Sequence, residues 1–334
     1  MFGVVTIVFV LLHVSGDPAT LLVTQDATKE DMQRIRQAYG LDQPLWVQYG
    51  RFIARVGRGD LGFSYRQGVP VTELIGDHLA ATFELALASL AVAVVLGVAL
   101  GMAAAVRRGS GVDTAAMTFA LLGTSMPSFW LGLLLIIAFG VKLGWLPVSG
   151  YGGADHLVMP AFVLGGFYAA QVSRLTRTSL LEVLAQDYVR TGWAKGLRGR
   201  AVLFKHALRN AALPVLTVLG LSFGQMLGGA IIVESIFAWP GMGRLAVQAV
   251  LGRDFPVVQG ATIVGAAVFL AVNLIVDLVY GWVDPRLRSS VQSAEARPAL
   301  AAAPPPPQPF GRGRRGAARG AGGSRFRRLV RAAV

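Results

Sequence analysis

No cysteine occurs anywhere in the 334 residues, which excludes disulfides, thiolate metal sites and cysteine nucleophiles. Charge is scarce as well: Asp, Glu, Lys and Arg make up 15% of the chain against 54% hydrophobic residues, and the mean hydropathy is +0.56. That balance leaves too few polar side chains to cover a water-soluble domain and puts the chain in the membrane class. Histidine is limited to His13, His78, His156 and His206, at no ligand spacing, so no metal site is expected. The sequence lacks a Gly-x-x-x-x-Gly-Lys-Ser/Thr phosphate loop, so no nucleotide is expected to bind here directly. It also lacks the converging nucleophile, base or metal ligands of a membrane-bound enzyme, and the internal repeat that marks many secondary transporters.

What the chain has in quantity is long apolar runs. Residues 80–106, 114–141, 157–172, 211–233 and 257–283 each read as a membrane helix, the third continuing toward Arg174. Residues 1–14 are apolar but cover only about 21 Å as a helix, less than the roughly 30 Å of a bilayer core. They carry no basic n-region or small-x-small cleavage site, so we read 1–15 as a first membrane helix whose opening residues precede Met1, the alternative being a weak uncleaved anchor. That makes about six spans in an all-α integral membrane protein. Residues 16–79 alternate apolar and charged positions at helical spacing and read as an extracytoplasmic helical subdomain, 80–284 as the membrane core. Residues 285–334, rich in Ala and Pro and then in Gly and Arg, cannot bury a core and read as a disordered tail.

The net charge of +13 would suggest nucleic acid in a soluble protein, but the Lys and Arg lie beside apolar runs or in the tail. No nucleic-acid partner is expected, and attraction to anionic membrane lipid accounts for the basic tail. Arg107, Arg108, Arg174, Arg177, Arg190, Lys195, Arg198, Arg200, Lys205, Arg209, Arg286 and Arg288 fall on one set of connections. The other set holds Lys142, Arg244 and Arg253. Positive charge is retained on the cytoplasmic side, so the first set and both termini are expected there.

Within the runs, Gly97 with Gly101, and Gly220, Gly224 and Gly228, recur every four residues and read as close-packing seams between helices. Glu84, Gln171, Gln225, Asn273 and Asp277 are polar at membrane depth, where exposure to lipid is costly, so they are expected to face the bundle or a cavity. Pro127, following Ser125 and Met126, is expected to kink the second complete span. Ser125, Pro127, Gln171, Gln225, Glu234, Asn273 and Asp277 are the candidates for lining a pathway or an interface.

One polar, basic island interrupts the apolar pattern: residues 187–213, DYVRTGWAKGLRGRAVLFKHALRNAAL. Helix formers flank a break at Gly196-Leu197-Arg198-Gly199, with Ser179 as a possible N-cap upstream. Helix, glycine turn and second helix make an elbow that can dock in a groove of a soluble partner. Tyr188, Ala194 and Leu197 would supply apolar contacts and Arg190 and Lys195 charged ones. A solvated connecting loop is the plainer alternative.

The run Asp187 to Leu197 with His206-Ala207-Leu208-Arg209-Asn210 resembles the EAA loop of ABC importer permeases, in the dipeptide, oligopeptide and nickel branch. Gly16-Asp17-Pro18, GLDQP at 40–44, GDLGFS at 59–64, VESIFAWPGMGRL at 233–245 and Asp284-Pro285-Arg286 carry the same resemblance across residues 1–288. Arg190, Thr191 and Gly192 stand where the general pattern has Glu-Ala-Ala, and Arg209 where it has Pro. The resemblance implies a type I importer permease fold in a bacterial inner membrane. It implies a cytoplasmic coupling loop of Asp187, Tyr188, Arg190, Thr191, Gly192, Ala194, Lys195, Gly196 and Leu197. The implied partners are a second permease, two cytoplasmic ABC ATPases that use ATP and Mg, and an extracytoplasmic substrate-binding protein. The chain would then be a transport subunit without enzymatic activity, passing peptides, or alternatively nickel, glutathione or oligosaccharides. A secondary transporter or channel acting without an ATPase is the competing reading.

Overall fold

Small residues decide where the two longest helices meet. The computed structural model describes residues 1–14 and 42–283, with Glu30, Gln33 and Gln37. Gly16-Asp17-Pro18, the first two residues of GLDQP, Asp284-Pro285-Arg286 and the tail 285–334 lie outside the described residues. In chain order the helices are α1 (Phe2–Val14), α2 (Leu45–Gly57), α3 (Val71–Val106), α4 (Gly111–Ser125), α5 (Ser128–Leu135) and α6 (Ala154–Leu184). There follow α7 (Asp187–Ala194), α8 (Gly199–Ala201), α9 (Leu208–Gly229), α10 (Ile231–Ile236), α11 (Met242–Leu251) and α12 (Phe255–Val283). Extended pairing among the described residues is limited to one bridge, Phe63 with Pro70.

α3 and α6 share the most extensive helix contact in the fold. A Cβ on Gly101 would stand 2.4 Å from the Ser173 carbonyl oxygen, and one on Gly97 would stand 2.7 Å from Val172 Cβ. Across the same crossing, a Cβ on Gly165 of α6 would stand 2.4 Å from the Ser89 carbonyl oxygen. Backbones therefore touch directly, the way helices associate where lipid removes the hydrophobic drive. A second seam joins α9 to α12: a Cβ on Gly220 would meet Val276 at 2.5 Å, and Gly224 lies against Asn273. Gly228, read with them as one stripe, has nothing within 4 Å among the described residues and is not part of the seam.

Four helical stretches are long and apolar enough to cross a bilayer: Val71–Val106, Ala154–Leu184, Val202–Gly228 and Phe255–Val279. α4 with α5 and its π-helical continuation Ile136–Lys142 is apolar enough to be a fifth if the bent pair counts as one span. The short α1, at 13 residues below the length of a span, packs Val5 and Val8 against Ile263 of α12, so four or five stretches reach crossing length where the sequence predicts about six spans. Pro127 does more than kink its span. Met126 adopts an extended conformation (φ −82°, ψ 128°), as a residue before proline does, and α5 leaves α4 at 105°. The run 114–141 is thus a broken pair of arms.

α3 starts at Val71, nine residues ahead of its apolar run, because Val71, Leu74 and Ile75 have a place to go. They pack with Met242, Leu245 and Ala249 of α11 and with Val257 and Ala261 of α12. At about 54 Å the helix is longer than a bilayer is thick, so one end projects. The main core lies farther along, where Leu85, Ala86 and Ala93 meet Val163, Leu164 and Tyr168 of α6 and Met226 of α9.

The clash distances set a test. Gly101→Ala is expected to cost about 1–3 kcal/mol in detergent, since the Ser173 carbonyl is backbone and cannot step aside. Gly228→Ala should leave stability unchanged or slightly raised. Denaturation midpoints of the two variants, measured in one detergent, check this; equal behaviour of the pair would refute the close-packed crossing.

Candidate functional site

The elbow is shaped by its own backbone. After α6 ends at Leu184, Ala185 and Gln186 redirect the chain and α7 begins at Asp187. Ser179 lies buried inside α6 and caps nothing here: the extended residue ahead of α7 is Gln186 (φ −78°, ψ 151°). Asp187 places a negative charge in the first turn, where the exposed N–H groups favour it. Its ion pair with Arg190, at 3.6 Å, is open to solvent and adds little.

α7 stops at a Schellman turn. The Leu197 N–H donates to the Gly192 carbonyl at 3.3 Å and the Gly196 N–H to the Trp193 carbonyl at 2.9 Å. The turn needs a left-handed residue, and Gly196 supplies it with φ 76°. Leu197 folds back over the helix, its Cδ1 3.6 Å from where a Gly192 Cβ would stand. Gly192 therefore sits in a space that Ala would fill in ordinary contact. The Trp193 ring covers Gly199, closing the angle between the two limbs.

The second limb runs from α8 through a π-helical turn, Val202–Ala207, into α9. The Asn210 amide donates to the Tyr188 hydroxyl at 2.7 Å and to the His206 carbonyl at 3.2 Å, tying the start of one limb to the base of the other. Val189 and Val202 are buried. Ala207 and Ala211 pack on Ala105 of α3 and Leu180 of α6. The elbow thus stands on the ends of the two central helices. Tyr188, Arg190, Thr191, Ala194, Lys195 and Leu197 remain exposed around it. So does Trp193, 52% exposed, which the sequence reading omits although a tryptophan in so polar a stretch is itself a signal.

At the opposite end of the core lies a second constellation, around Glu234. Its side chain is wholly buried. Oε1 accepts the Thr82 hydroxyl of α3 at 2.8 Å, and Oε2 accepts the Arg244 N–H at 3.0 Å. The Met242 N–H donates in turn to Thr82 Oγ1 at 2.8 Å. Glu234 and Thr82 together therefore satisfy the free N–H groups at the start of α11. Trp239 donates from its indole to the Ala81 carbonyl at 2.8 Å, and Arg244 reaches the Ala238 carbonyl. Gly241 and Gly243 are required here, since a Cβ on Gly241 would lie 2.1 Å from Glu234 Oε1. Burial pushes the Glu234 carboxyl above its ordinary range, and the donors from Arg244, Thr82 and Gly243 pull against that. Glu234, expected to line a pathway or interface, is instead an internal cap.

A similar device uses Asp254, which accepts the Ser64 hydroxyl at 2.5 Å and the N–H groups of Tyr65 and Arg66. It fixes the GDLGFS loop to the start of α12. Just ahead, the Arg55 guanidinium hydrogen-bonds Asp60 at 2.9 Å and holds its carboxyl below the usual range.

The other candidates are spread through the fold. Ser125 donates to the Leu121 carbonyl of its own helix at 2.9 Å, and Pro127 marks the break. Gln171 is half-buried on α6, and Asn273 donates to the Phe269 carbonyl at 2.9 Å. Glu84, Gln225 and Asp277 do not point into this chain's bundle: all three are exposed on its outer surface. Glu84 accepts the Tyr151 hydroxyl at 2.9 Å, which pushes that phenol up.

The cap predicts a graded response. Glu234→Ala should destabilise by about 2–4 kcal/mol, because it strands buried donors and opens a cavity. Glu234→Gln should cost less, since its amide keeps an acceptor for Thr82 but turns a donor toward backbone N–H groups. Thermal unfolding of both variants in detergent measures the order; an unchanged midpoint for Glu234→Ala contradicts the cap.

Comparison with known proteins names the assembly to which such a fold belongs. Residues 97–289 match the family described as binding-protein-dependent transport system inner membrane component, and residues 1–86 match its N-terminal companion. A Brucella abortus (strain 2308) chain named as a peptide transport system permease protein is 43% identical over 297 residues, 86% of this chain and 95% of that one. The glutathione transport system permease protein GsiC of Escherichia coli (strain K12) is 42% identical over 289 residues, 86% of this chain and 94% of its own. Two solved structures share the fold. The MetNI methionine ABC transporter has 17% identity and a TM-score of 0.54 over 63% of this chain and 96% of its own. An amino acid ABC transporter crystallised with histidines has 18% identity and a TM-score of 0.50 over 63% and 94%. This chain therefore belongs to the binding-protein-dependent transport system inner membrane components, as a multi-pass permease subunit of an ABC importer in the peptide branch.

Proposed function

We propose that this permease passes peptides or glutathione, and that the elbow from Asp187 to Leu197 is where a separate ATPase acts on it. The family implies ATPase subunits, a permease partner and a binding protein. Our finer reading is one sister permease beside this chain, two cytoplasmic ATPases that bind ATP and Mg, and an extracytoplasmic binding protein that selects the cargo. Both termini then face the cytoplasm, in line with the Lys and Arg distribution. The names of the relatives support the choice of cargo.

The observation that carries the coupling role is the preformed turn at Gly196 with Tyr188, Trp193 and Leu197 exposed around it. Three apolar side chains on a short, charged helix suit a groove on a soluble partner. Closure of the ATPases would push the elbow, and α6 and α9 would carry the displacement into the core, opening the pathway to alternate sides.

Reconstitution of the full complex in liposomes tests this. Gly196→Val has open space around it, so its cost is the left-handed backbone, about 1–2 kcal/mol or more. It should reduce import and cargo-stimulated ATP hydrolysis by about tenfold. Gly192→Ala should leave both unchanged. Full activity of Gly196→Val removes the elbow from the coupling path, and import by this chain alone would overturn the need for an ATPase. Calorimetry on the cognate binding protein, with peptides and glutathione as titrants, decides the cargo.

A further inference from the structure

A second polar link lies one step inward from the elbow. Arg177 of α6 grips Asp113 of α4 with two parallel bonds, Nε to Oδ1 at 2.6 Å and Nη2 to Oδ2 at 2.8 Å. The Gly109 N–H adds a third donor to the same carboxylate at 2.9 Å. Asp113 is 5% exposed and the Arg177 side chain only partly so, which makes this the most shielded ion pair among the described residues. A two-pronged guanidinium contact fixes orientation as well as distance.

The place of the pair in the fold gives it meaning. From Arg177 the helix runs unbroken to Leu184, about 10 Å, and the elbow begins three residues later. On its other side Arg177 is pinned to α3: a Cβ on Gly101 would stand 3.2 Å from its backbone nitrogen. α4 packs along α6 and α3 through apolar and small residues, a Cβ on Gly123 standing 3.3 Å from Ala170 Cβ of α6. Asp113, Ala116 and Ala120 are its buried residues, and the hydroxyls of Thr114, Thr124 and Ser125 bond within their own helix or its cap. Among the described residues, Asp113–Arg177 is the sole hydrogen bond or ion pair joining α4 to another helix. Beyond α4 lies the 105° break and the α5 arm.

We propose that Asp113 is a positioning residue for transport: through Arg177 it makes the α4–α5 arm follow α6 when the elbow is displaced. Small-residue contacts hold α3 and α6 together, so they move as one body. The arm beyond Pro127 makes apolar contacts, which carry no fixed direction, and the ion pair fixes orientation at the end nearest the elbow. Loss of either partner would uncouple the arm while the elbow still received force. The proposal rests on the elbow being the ATPase contact, and the experiment separates the two.

In the reconstituted complex, import per ATP hydrolysed is compared for Asp113→Asn, Arg177→Gln, Arg177→Lys and the exchange of Asp113→Arg with Arg177→Asp. The pair lines an open depression of the surface with Thr114, Met117 and Leu121, which leaves room for the exchanged side chains. The neutral variants should lose about tenfold or more of import per ATP while hydrolysis continues. Arg177→Lys, keeping charge without the fork, should fall between, and the exchange should recover part of the loss. Wild-type import per ATP in both neutral variants overturns the proposal. If Gly196→Val uncouples the same complex, the elbow reading survives that failure; if Gly196→Val is also silent, both fall.

A measurement on the unaltered pair covers variants that fail to assemble. The chain has no cysteine, so spin labels at Thr118→Cys and Thr178→Cys report without background. Their separation, and that between Thr118 and a label at Leu87→Cys on α3, should stay constant between nucleotide-free and ATP-trapped complexes. A change above about 2 Å between Thr118 and Thr178 means that α4 does not follow α6, and sinks the proposal.

Discussion

Helices in lipid gain nothing from hiding apolar side chains from one another, since the surrounding hydrocarbon is equally apolar. What remains is dispersion between backbones that come close enough, and here that approach is concentrated where α3 crosses α6. Gly97, Gly101 and Gly165 remove the side chains that would hold the two apart. Everything else is arranged about this crossing: α9 and α12 join it through a looser seam, the elbow stands on its one end, and the Glu234 cap closes the other. Overfilling the crossing would be felt at both ends, because neither has a foundation of its own.

Outside the crossing, carboxylates do the fixing. Glu234 and Asp254 each hold the N–H groups of a neighbouring segment, and each is buried. A buried carboxylate is costly unless its lone pairs are taken, and in both cases they are. Such caps are directional, which apolar contacts are not. They define where α11 and the GDLGFS loop lie, on the side away from the elbow, while the elbow itself depends on backbone geometry.

The spans were legible because a run of apolar residues has few other uses, and the elbow because a basic island with a glycine break interrupts those runs. The seam at Gly97 and Gly101 follows from spacing. Spacing alone misassigns Gly228, since whether a small residue meets a neighbour depends on a helix far away in sequence. Glu234 shows the same limit more sharply. A glutamate near the end of an apolar run looks like a pathway residue, and only its position against Thr82, 152 residues earlier, makes it a cap. Arg177 was read only as one of the charges that set topology, and its partner Asp113, 64 residues earlier, drew no reading at all. The break at Pro127 was foreseen in place but not in degree, because the angle depends on what the second arm can pack against.

The Schellman turn at Gly196 bears on how a partner would meet this surface. Its shape comes from hydrogen bonds within eleven consecutive residues, with Leu197 folded back over Gly192 and Trp193 laid over Gly199. A segment so organised gives up little conformational freedom when it docks, so more of the contact energy is retained as affinity. Rigidity of this sort also turns a push at the tip into a displacement at the base, where a floppy loop would absorb it. The elbow is in this sense a preorganised lever, finished before the force arrives.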